Sequence, residues 1–459
     1  MLYLRQFRIP DMGCASYLIG SQGKALVIDP QWRIEPYLKV ARKEGFEITG
    51  VVDTHLHADH VSGNRRLAAQ ANAQIYLHED ARAGFEYTAL KGGQVIELGD
   101  AILEVLHTPG HTGESIMLKV TDRAVPEPEK EPILLTGDTL FIGDVGRPDL
   151  AGEEGAAQLF ESLKTLAALP DETVIYPAHL AGSLCGRNLS KDHSCTLGRQ
   201  RQFNEPLNIE DRQAFVHFLM DEVPPHPADF KRIIELNRNG PPLAVAAPIE
   251  LTAEVVNELV LEGAKVVDLR EPADFWQGHL AGALNVPVYS NHFGPNTANF
   301  VGHKTPLILI AEDETDAQEA VELLANIGRS QVRGFITPEV LFNQFEITQT
   351  AQIDNNGFCQ ALAKGHLALL DVRQPAEYES GSAPQALNIP LRNLDQPENL
   401  EAVQQLARQA LTLGQELVVL CANGNRSSVA ASYLEGMGIK GRNLVGGYNA
   451  CKEELTGAR

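Results

Sequence analysis

The sequence predicts an α/β protein in three parts: a layered α/β domain with a metal site, then two small doubly wound α/β domains. Three observations predict it. Up to about residue 239, short β-rich runs alternate with helical stretches, the pattern of stacked sheets and helices. Beyond that point an internal repeat appears, in which strand, loop and helix recur. The chain's 459 residues exceed what one core organises and suit two to three domains.

The elements follow in order. In the first segment, 1–239, Ala25-Leu26-Val27-Ile28-Asp29 and Ile133-Leu134-Leu135-Thr136 read as strands, and Ala156 to Leu169 reads as a helix. Gly50-Val51-Val52-Asp53 reads as the end of a buried strand. Asn237-Arg238-Asn239-Gly240-Pro241-Pro242 reads as a linker, because tandem prolines break regular structure. The repeat then begins. Ala264-Lys265-Val266-Val267-Asp268-Leu269-Arg270-Glu271-Pro272 matches Leu367-Ala368-Leu369-Leu370-Asp371-Val372-Arg373-Gln374-Pro375. Both copies continue to an Ala-Leu-Asn-(Val/Ile)-Pro run, at Ala283 to Pro287 and Ala386 to Pro390. Each later feeds an apolar strand, Leu307 to Ile310 and Val418 to Leu420, into a helix. The expected domains are 1–239, 243–348 and 354–459, the last two divided by the polar stretch Thr348 to Asp354.

Composition narrows the function. Net charge is −22, which argues against nucleic-acid and anionic-membrane partners. No run of eighteen apolar residues is present, so no span of a bilayer is expected. Met1-Leu2-Tyr3-Leu4-Arg5-Gln6 lacks the basic-then-apolar order of a signal peptide. The six cysteines are scattered without a CxxC pair and read as reduced thiols of a cytoplasmic protein.

The densest chemistry is His55-Leu56-His57-Ala58-Asp59-His60, three imidazoles and a carboxylate in six positions after a strand end. Donors this close converge only from a loop, and a divalent metal is what compensates their desolvation. Thr108-Pro109-Gly110-His111, Thr136-Gly137-Asp138-Thr139 and Tyr176-Pro177-Ala178-His179 repeat the pattern of a β-rich run followed by a donor. Seven candidate donors result: His55, His57, Asp59, His60, His111, Asp138 and His179.

With these motifs the first segment resembles the metallo-β-lactamase superfamily. The resemblance implies an αββα sandwich with metal at one rim. Ligand types alone leave two chemistries open. A dinuclear zinc hydrolase of glyoxalase II or lactonase type would use all seven donors, two Zn(II) per chain, with Asp138 bridging. A mononuclear dioxygenase would use His55, His111 and Asp138 to hold one Fe(II) per chain on one face, leaving room for substrate and O2. His57, Asp59, His60 and His179 would then orient ligands and handle protons. The run Gly143-Asp144-Val145-Gly146-Arg147-Pro148-Asp149 looks like the persulfide dioxygenase branch and tilts the reading to iron. Arg147 is a candidate anion contact, or a structural partner of Asp149; Cys185 and Cys195 are candidate sulfur relays near the metal mouth.

The second chemistry lies at Cys421-Ala422-Asn423-Gly424-Asn425-Arg426-Ser427, between the apolar Leu417-Val418-Val419-Leu420 and a helix-like run from Ser428 to Met437. A thiol at a strand end and helix N-terminus meets unpaired N–H groups that favour thiolate and hold an anion over sulfur. Arg426 adds positive charge, Gly424 permits the tight curve, and Gly424 and Ser427 are candidate substrate contacts. Together with Asp371-Val372-Arg373, Glu377-Tyr378, Asn388-Ile389-Pro390 and Gly446-Gly447-Tyr448, the loop resembles a rhodanese domain. One departure is Cys451, where rhodaneses often carry Trp. The earlier repeat places Ala311 at the cysteine position and Asp316 at the arginine position, so it reads as a rhodanese-like copy without catalysis, a spacer or docking surface. His279 belongs to its fold pattern.

The whole chain resembles persulfide dioxygenase–rhodanese fusions of bacterial sulfide detoxification. The resemblance implies a small-molecule persulfide, O2, and sulfite or thiosulfate as partners, a homo-oligomer (dimer or tetramer), and Cys421 as sulfur carrier. Two rivals are the zinc hydrolase above and a non-catalytic sulfur-relay protein.

Overall fold

The computed structural model describes residues 2–9, 13–126, 131–148, 151–180, 189–221 and 229–457. They fall into two compact units, Met1–Val245 with Ala325–Gly328, and Ala246–Leu324 with Arg329–Arg459. No helix among the described residues is long and apolar enough to cross a membrane.

The first unit is a sandwich of two six-stranded sheets. One holds β1 (Tyr3–Ile9), β2 (Cys14–Ser21), β3 (Lys24–Ile28), β4 (Glu47–Val52), β5 (Gln74–His78) and β6 (Thr88–Leu90) in sequential order. The other holds β7 (Val95–Leu98), β8 (Ala101–His107), β9 (Ile116–Asp122), β10 (Ile133–Gly137), β11 (Val174–Pro177) and β12 (Cys195–Thr196). Strand alternation explains why both faces of each sheet are covered. In β3, Leu26 and Ile28 join the core between the sheets with Leu103, Val105 and Leu118, while Ala25 and Val27 join the layer of Tyr37, Ala41 and Leu67 on helices Glu35–Glu44 and Asn64–Ala71. In β10, Leu135 faces the inner core, and Leu134 joins Leu159, Phe160 and Phe215 on helices Gly152–Lys164 and Arg212–Met220. The layers are therefore α, β, β, α, as expected.

Two local readings are corrected. The helix read over Ala156 to Leu169 spans Gly152–Lys164 and then tightens into a 3-10 turn, Thr165–Ala168. There the Thr165 hydroxyl donates to the Ser162 carbonyl at 2.6 Å, and Pro170 follows Leu169, which disfavours further helix. Asn237 is not linker. It is buried in the last turn of helix Phe230–Asn239, which Gly240 ends at a φ of 104°.

The second unit holds both copies of the repeat. Each is a four-stranded parallel sheet. The first runs β15-β13-β16-β17, from β13 (Lys265–Asp268), β15 (Leu284–Asn285), β16 (Leu307–Ile310) and β17 (Val332–Ile336). The short β14 (His279–Leu280) pairs instead with β18 (Ile347–Thr348). The second sheet runs β20-β19-β21-β22, from β19 (Leu367–Asp371), β20 (Leu387–Asn388), β21 (Glu416–Leu420) and β22 (Arg442–Asn443). The repeated Asp-x-Arg is the same device twice. Arg270 donates to Asp268 and to the Gly278 carbonyl; Arg373 donates to Asp371 and to the Gly381 carbonyl. Asn285 and Asn388 each donate to two carbonyls of that Asp-x-Arg turn. Buried carboxylate and guanidinium thus satisfy one another while the amide takes the turn's carbonyls, which is what makes them tolerable at the end of an apolar strand.

Candidate metal centre and thiol loop

The four donor-bearing loops follow β4, β8, β10 and β11, so every candidate donor leaves the end of a strand in the first unit. The atoms that converge are His55 Nε2, His111 Nε2 and Asp138 Oδ2, at 3.7 Å and 3.4 Å from the carboxylate oxygen. Their hydrogen bonds fix which lone pairs face inward. The Thr54 hydroxyl donates to Asp29 Oδ2 at 2.9 Å, so it accepts from His55 Nδ1 at 3.0 Å. His111 Nδ1 donates to the Arg147 carbonyl at 2.8 Å. With Nδ1 the donor on each ring, the tautomer these bonds select turns its Nε2 lone pair toward Asp138. Asp138 Oδ2 is buried without a hydrogen-bond partner. Three electron-rich atoms face one another with no proton between them, and the charge that satisfies such a set is a cation. Burial first, then His57, pushes His55 well below the ordinary histidine range, which keeps it neutral. His179 and His55 outweigh burial at Asp138 and hold its carboxyl well below the usual range.

Of the other four predicted donors, Asp59, His60 and His179 engage one another, and His57 turns away from them. His179 bridges two carboxylates, Nδ1 to Asp138 Oδ1 at 2.7 Å and Nε2 to Asp59 Oδ2 at 2.9 Å. His60 Nδ1 meets Asp59 Oδ1 at 3.0 Å, and its Nε2 meets the Gln31 amide at 3.1 Å. His57 turns to a carboxylate pair, with Nε2 3.3 Å from Asp29 Oδ1, and shares a cluster with Asp29 and Asp53. Burial opposes the charge on His57, but Asp29 prevails and raises its pKa to about 9. Burial, with Asp29, raises Asp53 to about 7.

Gly146 explains the glycine of the Gly-Arg pair. A Cβ there would lie 1.8 Å from the Asp138 carbonyl, so only glycine lets that loop close over the ligand strand. Arg147 is placed here through its carbonyl on His111. Cys185 and Asp149 lie outside the described residues. Cys195 is not at this rim. It sits on β12, buried in the apolar cluster of Leu134, Ile175, Leu197 and Phe215, so the relay expected of it has no geometric basis.

Several residues escaped the sequence reading. Cys14, at the start of β2, donates to Asp59 Oδ2 at 3.0 Å, and burial with Asp59 pushes its thiol well above the ordinary range. Glu114 accepts from the Leu56 amide at 3.0 Å. Asn237 donates to the carbonyls of His57 and His60 at 2.8 Å and 2.9 Å, tying the donor loop from far along the chain. No local motif marks any of them.

In the second unit, Cys421 follows β21 and is fully buried ahead of helix Asn425–Gly436. The Gly424 N–H points at its sulfur at 3.2 Å; the Ser427 Oγ lies 3.4 Å away but donates its one proton to Asn443 Oδ1 at 2.6 Å. Gly424 adopts a φ of 100°, the left-handed curve expected of it. The Cys421 carbonyl accepts from the Tyr448 amide at 2.7 Å, so the Gly-Gly-Tyr segment pins the loop. Arg426 is clamped by Glu377 through two 2.7 Å bonds, a role for Glu377 that its motif alone did not assign. Glu377 first, against some burial, raises the Arg426 guanidinium. Cys451 packs in the apolar core of this repeat with Phe358 and Leu444. In the first repeat, Ala311 follows its strand as Cys421 does in the second, but the loop is one residue shorter, so Asp316 is third in the helix Glu314–Asn326 where Arg426 is second in its own.

Residues 9–179 match the Metallo-beta-lactamase superfamily, and residues 252–336 and 357–454 match the Rhodanese-like domain. A hydroxyacylglutathione hydrolase of Polaromonas sp. is 38% identical over 171 residues, 36% of this chain and 61% of that protein. The chain thus spans about three fifths of the length of this curated relative. Among solved structures, a metallo-beta-lactamase from Staphylococcus aureus subsp. aureus COL is 32% identical, covering 73% of this chain and 99% of its own, with a TM-score of 0.65. ETHE1 from Myxococcus xanthus is 26% identical, covering 51% of this chain and 98% of its own, with a TM-score of 0.45.

Proposed function

The chain belongs to the metallo-β-lactamase superfamily and carries rhodanese-like domains behind that fold, and from this premise we propose that it is a persulfide dioxygenase coupled to a sulfurtransferase. His55, His111 and Asp138 would hold one Fe(II), which supplies the redox chemistry that makes O2 reactive toward a sulfur anion. The observation that carries this reading is the facing of three lone-pair atoms while Asp59, His60 and His179 satisfy one another. A three-group set is one ion's worth of ligands, and it leaves positions for substrate. His179 stands between two carboxylates, placed to take or return a proton beside the ligand Asp138.

The net reaction takes a persulfide anion, O2 and water to sulfite, thiol and a proton. The terminal sulfur is oxidised and gains three oxygens, and its bond to the thiol sulfur breaks. In the second step the Cys421 thiolate attacks the sulfane sulfur of another persulfide, expelling thiol. Sulfite then attacks the outer sulfur, giving thiosulfate and regenerating the thiolate. The Gly424 N–H holds the sulfur's charge through both transfers. Small molecules are the expected partners, within a homo-oligomer.

A second reading has its own support: the curated relative is a hydrolase, and both His57 nitrogens are buried without a well-aligned hydrogen bond. It predicts two Zn(II) per chain and hydrolysis of a hydroxyacyl-glutathione thioester. Metal analysis of purified protein, with O2 uptake on glutathione persulfide and thioester hydrolysis measured side by side, decides between them. One iron per chain with O2 uptake is the expected result. Zinc-rich protein that stays inert toward persulfide after loading with ferrous ion, and hydrolyses the thioester, overturns the proposal.

A further inference from the structure

Helix Asn425–Gly436 begins at the thiol loop and is buried almost all round. Ser428, Val429, Ala430, Ala431, Ser432 and Leu434 all lack solvent. A helix lying on a single sheet hides one stripe and shows the rest. This helix has small residues on both sides because two layers cover it. One is the sheet of its own repeat. The other is the repeat without a cysteine.

The contacts with that repeat form a row. Trp276 Nε1–H donates to Ser428 Oγ at 2.9 Å, and that hydroxyl donates to Asn285 Oδ1 at 2.5 Å. The Asn285 amide N–H donates to Ser432 Oγ at 3.0 Å. His279 Nε2 meets Glu435 Oε2 at 2.8 Å, with the Phe275 carbonyl at its other nitrogen. Ser428, Ser432 and Glu435 are spaced as one helix face. Asn285 is itself anchored through Nδ2 to the Asp268 and Arg270 carbonyls. A continuous set of buried bonds therefore runs from the Asp-x-Arg turn of the first repeat to Ser428, the residue beside Ser427.

The same repeat has closed its own loop. Asp313 Oδ1 accepts from the Asp316 amide at 3.0 Å, and Asp316 accepts from the Tyr289 hydroxyl at 2.6 Å. A carboxylate thus takes one N–H at the start of the helix. The framework and the docking row are retained, and the chemistry is gone.

We propose that the cysteine-less repeat is the positioning half of the sulfur-transfer site. Its Trp276–Ser428–Asn285 relay, with His279 on Glu435, fixes the helix so that its N-terminus aims the Gly424 N–H at the Cys421 sulfur. Trp276, Asn285 and His279 are positioning residues, acting through the helix. The inference rests on Cys421 being the sulfur carrier. Its physical basis is that misplacing reacting groups by about 1 Å costs about 100-fold in rate.

The test uses the full-length chain with Trp276→Phe, Ser428→Ala and the double variant. Phe300→Leu is the structural control, since Phe300 touches Tyr433 on the same helix (ring centroids 4.3 Å) outside the polar relay. Three quantities are measured: kcat and KM for sulfur transfer from thiosulfate to a thiol, the rate of Cys421 alkylation by iodoacetamide, and the melting temperature. Both relay variants should lose about 10-fold in kcat and slow alkylation, with KM within about twofold. The double variant should be no worse than the poorer single, because both break one relay. The control should shift only the melting temperature. Wild-type kcat and alkylation in the relay variants overturn the inference, as does a loss that the control shares. Wild-type protein without sulfur transfer strikes at the reading of Cys421 instead, and alkylation still reports on positioning.

Discussion

The metal rim and the thiol loop are built by opposite means. At the rim, His55, His111 and Asp138 leave three strand ends and turn lone pairs toward one another, while His179 from a fourth holds the Asp138 carboxylate by a hydrogen bond. At the loop, the consecutive residues from Cys421 to Ser427 turn the backbone so that the Gly424 N–H meets the sulfur. The first arrangement calls for a cation and the second for an anion. A site of convergent side chains is sensitive to each side chain. A site of backbone donors is sensitive to where its helix sits, and that helix is held by a second repeat.

The largest expected effects would break each site separately. Asp138→Asn keeps the shape and removes the charge that two imidazoles face. Iron content should fall, and O2 uptake should drop by more than about 100-fold, beyond the cost of losing an outer partner. Sulfur transfer from thiosulfate should persist in that variant. Cys421→Ser should do the reverse, abolishing thiosulfate formation while sulfite release continues. Loss of both activities in either variant would mean that the two chemistries share one site.

Much of this contrast was legible in the chain. Residue type marks the rim, because three histidines and an aspartate in six positions have few other uses. Offset marks the loop, because Cys421, Gly424 and Arg426 stand where a strand gives way to a helix. What was not legible came through tertiary contact. Cys14 meets Asp59 across 45 positions, and Asn237 meets the donor loop across about 180. No local pattern announces such pairs. Asn237 was misread for a physical reason: the Asn-Gly-Pro-Pro that follows is loop chemistry, and burial of one amide side chain drew its helix up to that boundary. The clamp of Arg426 by Glu377 was half visible, its carboxylate quoted within a motif and its partner 49 residues away.

A smaller effect sharpens the claim that the rim depends on distant side chains. Asn237→Ala removes donors to the His57 and His60 carbonyls and the acceptor of the Ser62 amide. With each buried bond worth about 1 kcal/mol net, the first unit should lose about 1–3 kcal/mol. Its melting temperature should fall by about 2–4 °C per kcal/mol. Melting of the second unit should stay put, as should sulfur transfer. An unaltered first transition in calorimetry would mean that the donor loop holds its shape without that tie.

The smallest expected effect concerns acid and the thiol loop. Arg426, against some burial, holds the Glu377 carboxyl below the ordinary glutamate value of about 4.3. A carboxyl whose folded pKa is depressed contributes stability that is fully present above its unfolded value and is lost as pH falls through its folded value. The Glu377–Arg426 clamp should therefore be intact at neutral pH and let go only in acid below the usual carboxylate range. Thermal unfolding of the second unit, followed from pH 7 to pH 3, should show a stability loss at the acid end that Glu377→Gln diminishes. The substitution leaves the guanidinium with a neutral partner at every pH, so its variant should start weaker at neutrality and fall less steeply. Parallel curves for the two proteins would assign the acid loss to other carboxylates and leave the clamp as a geometric device alone.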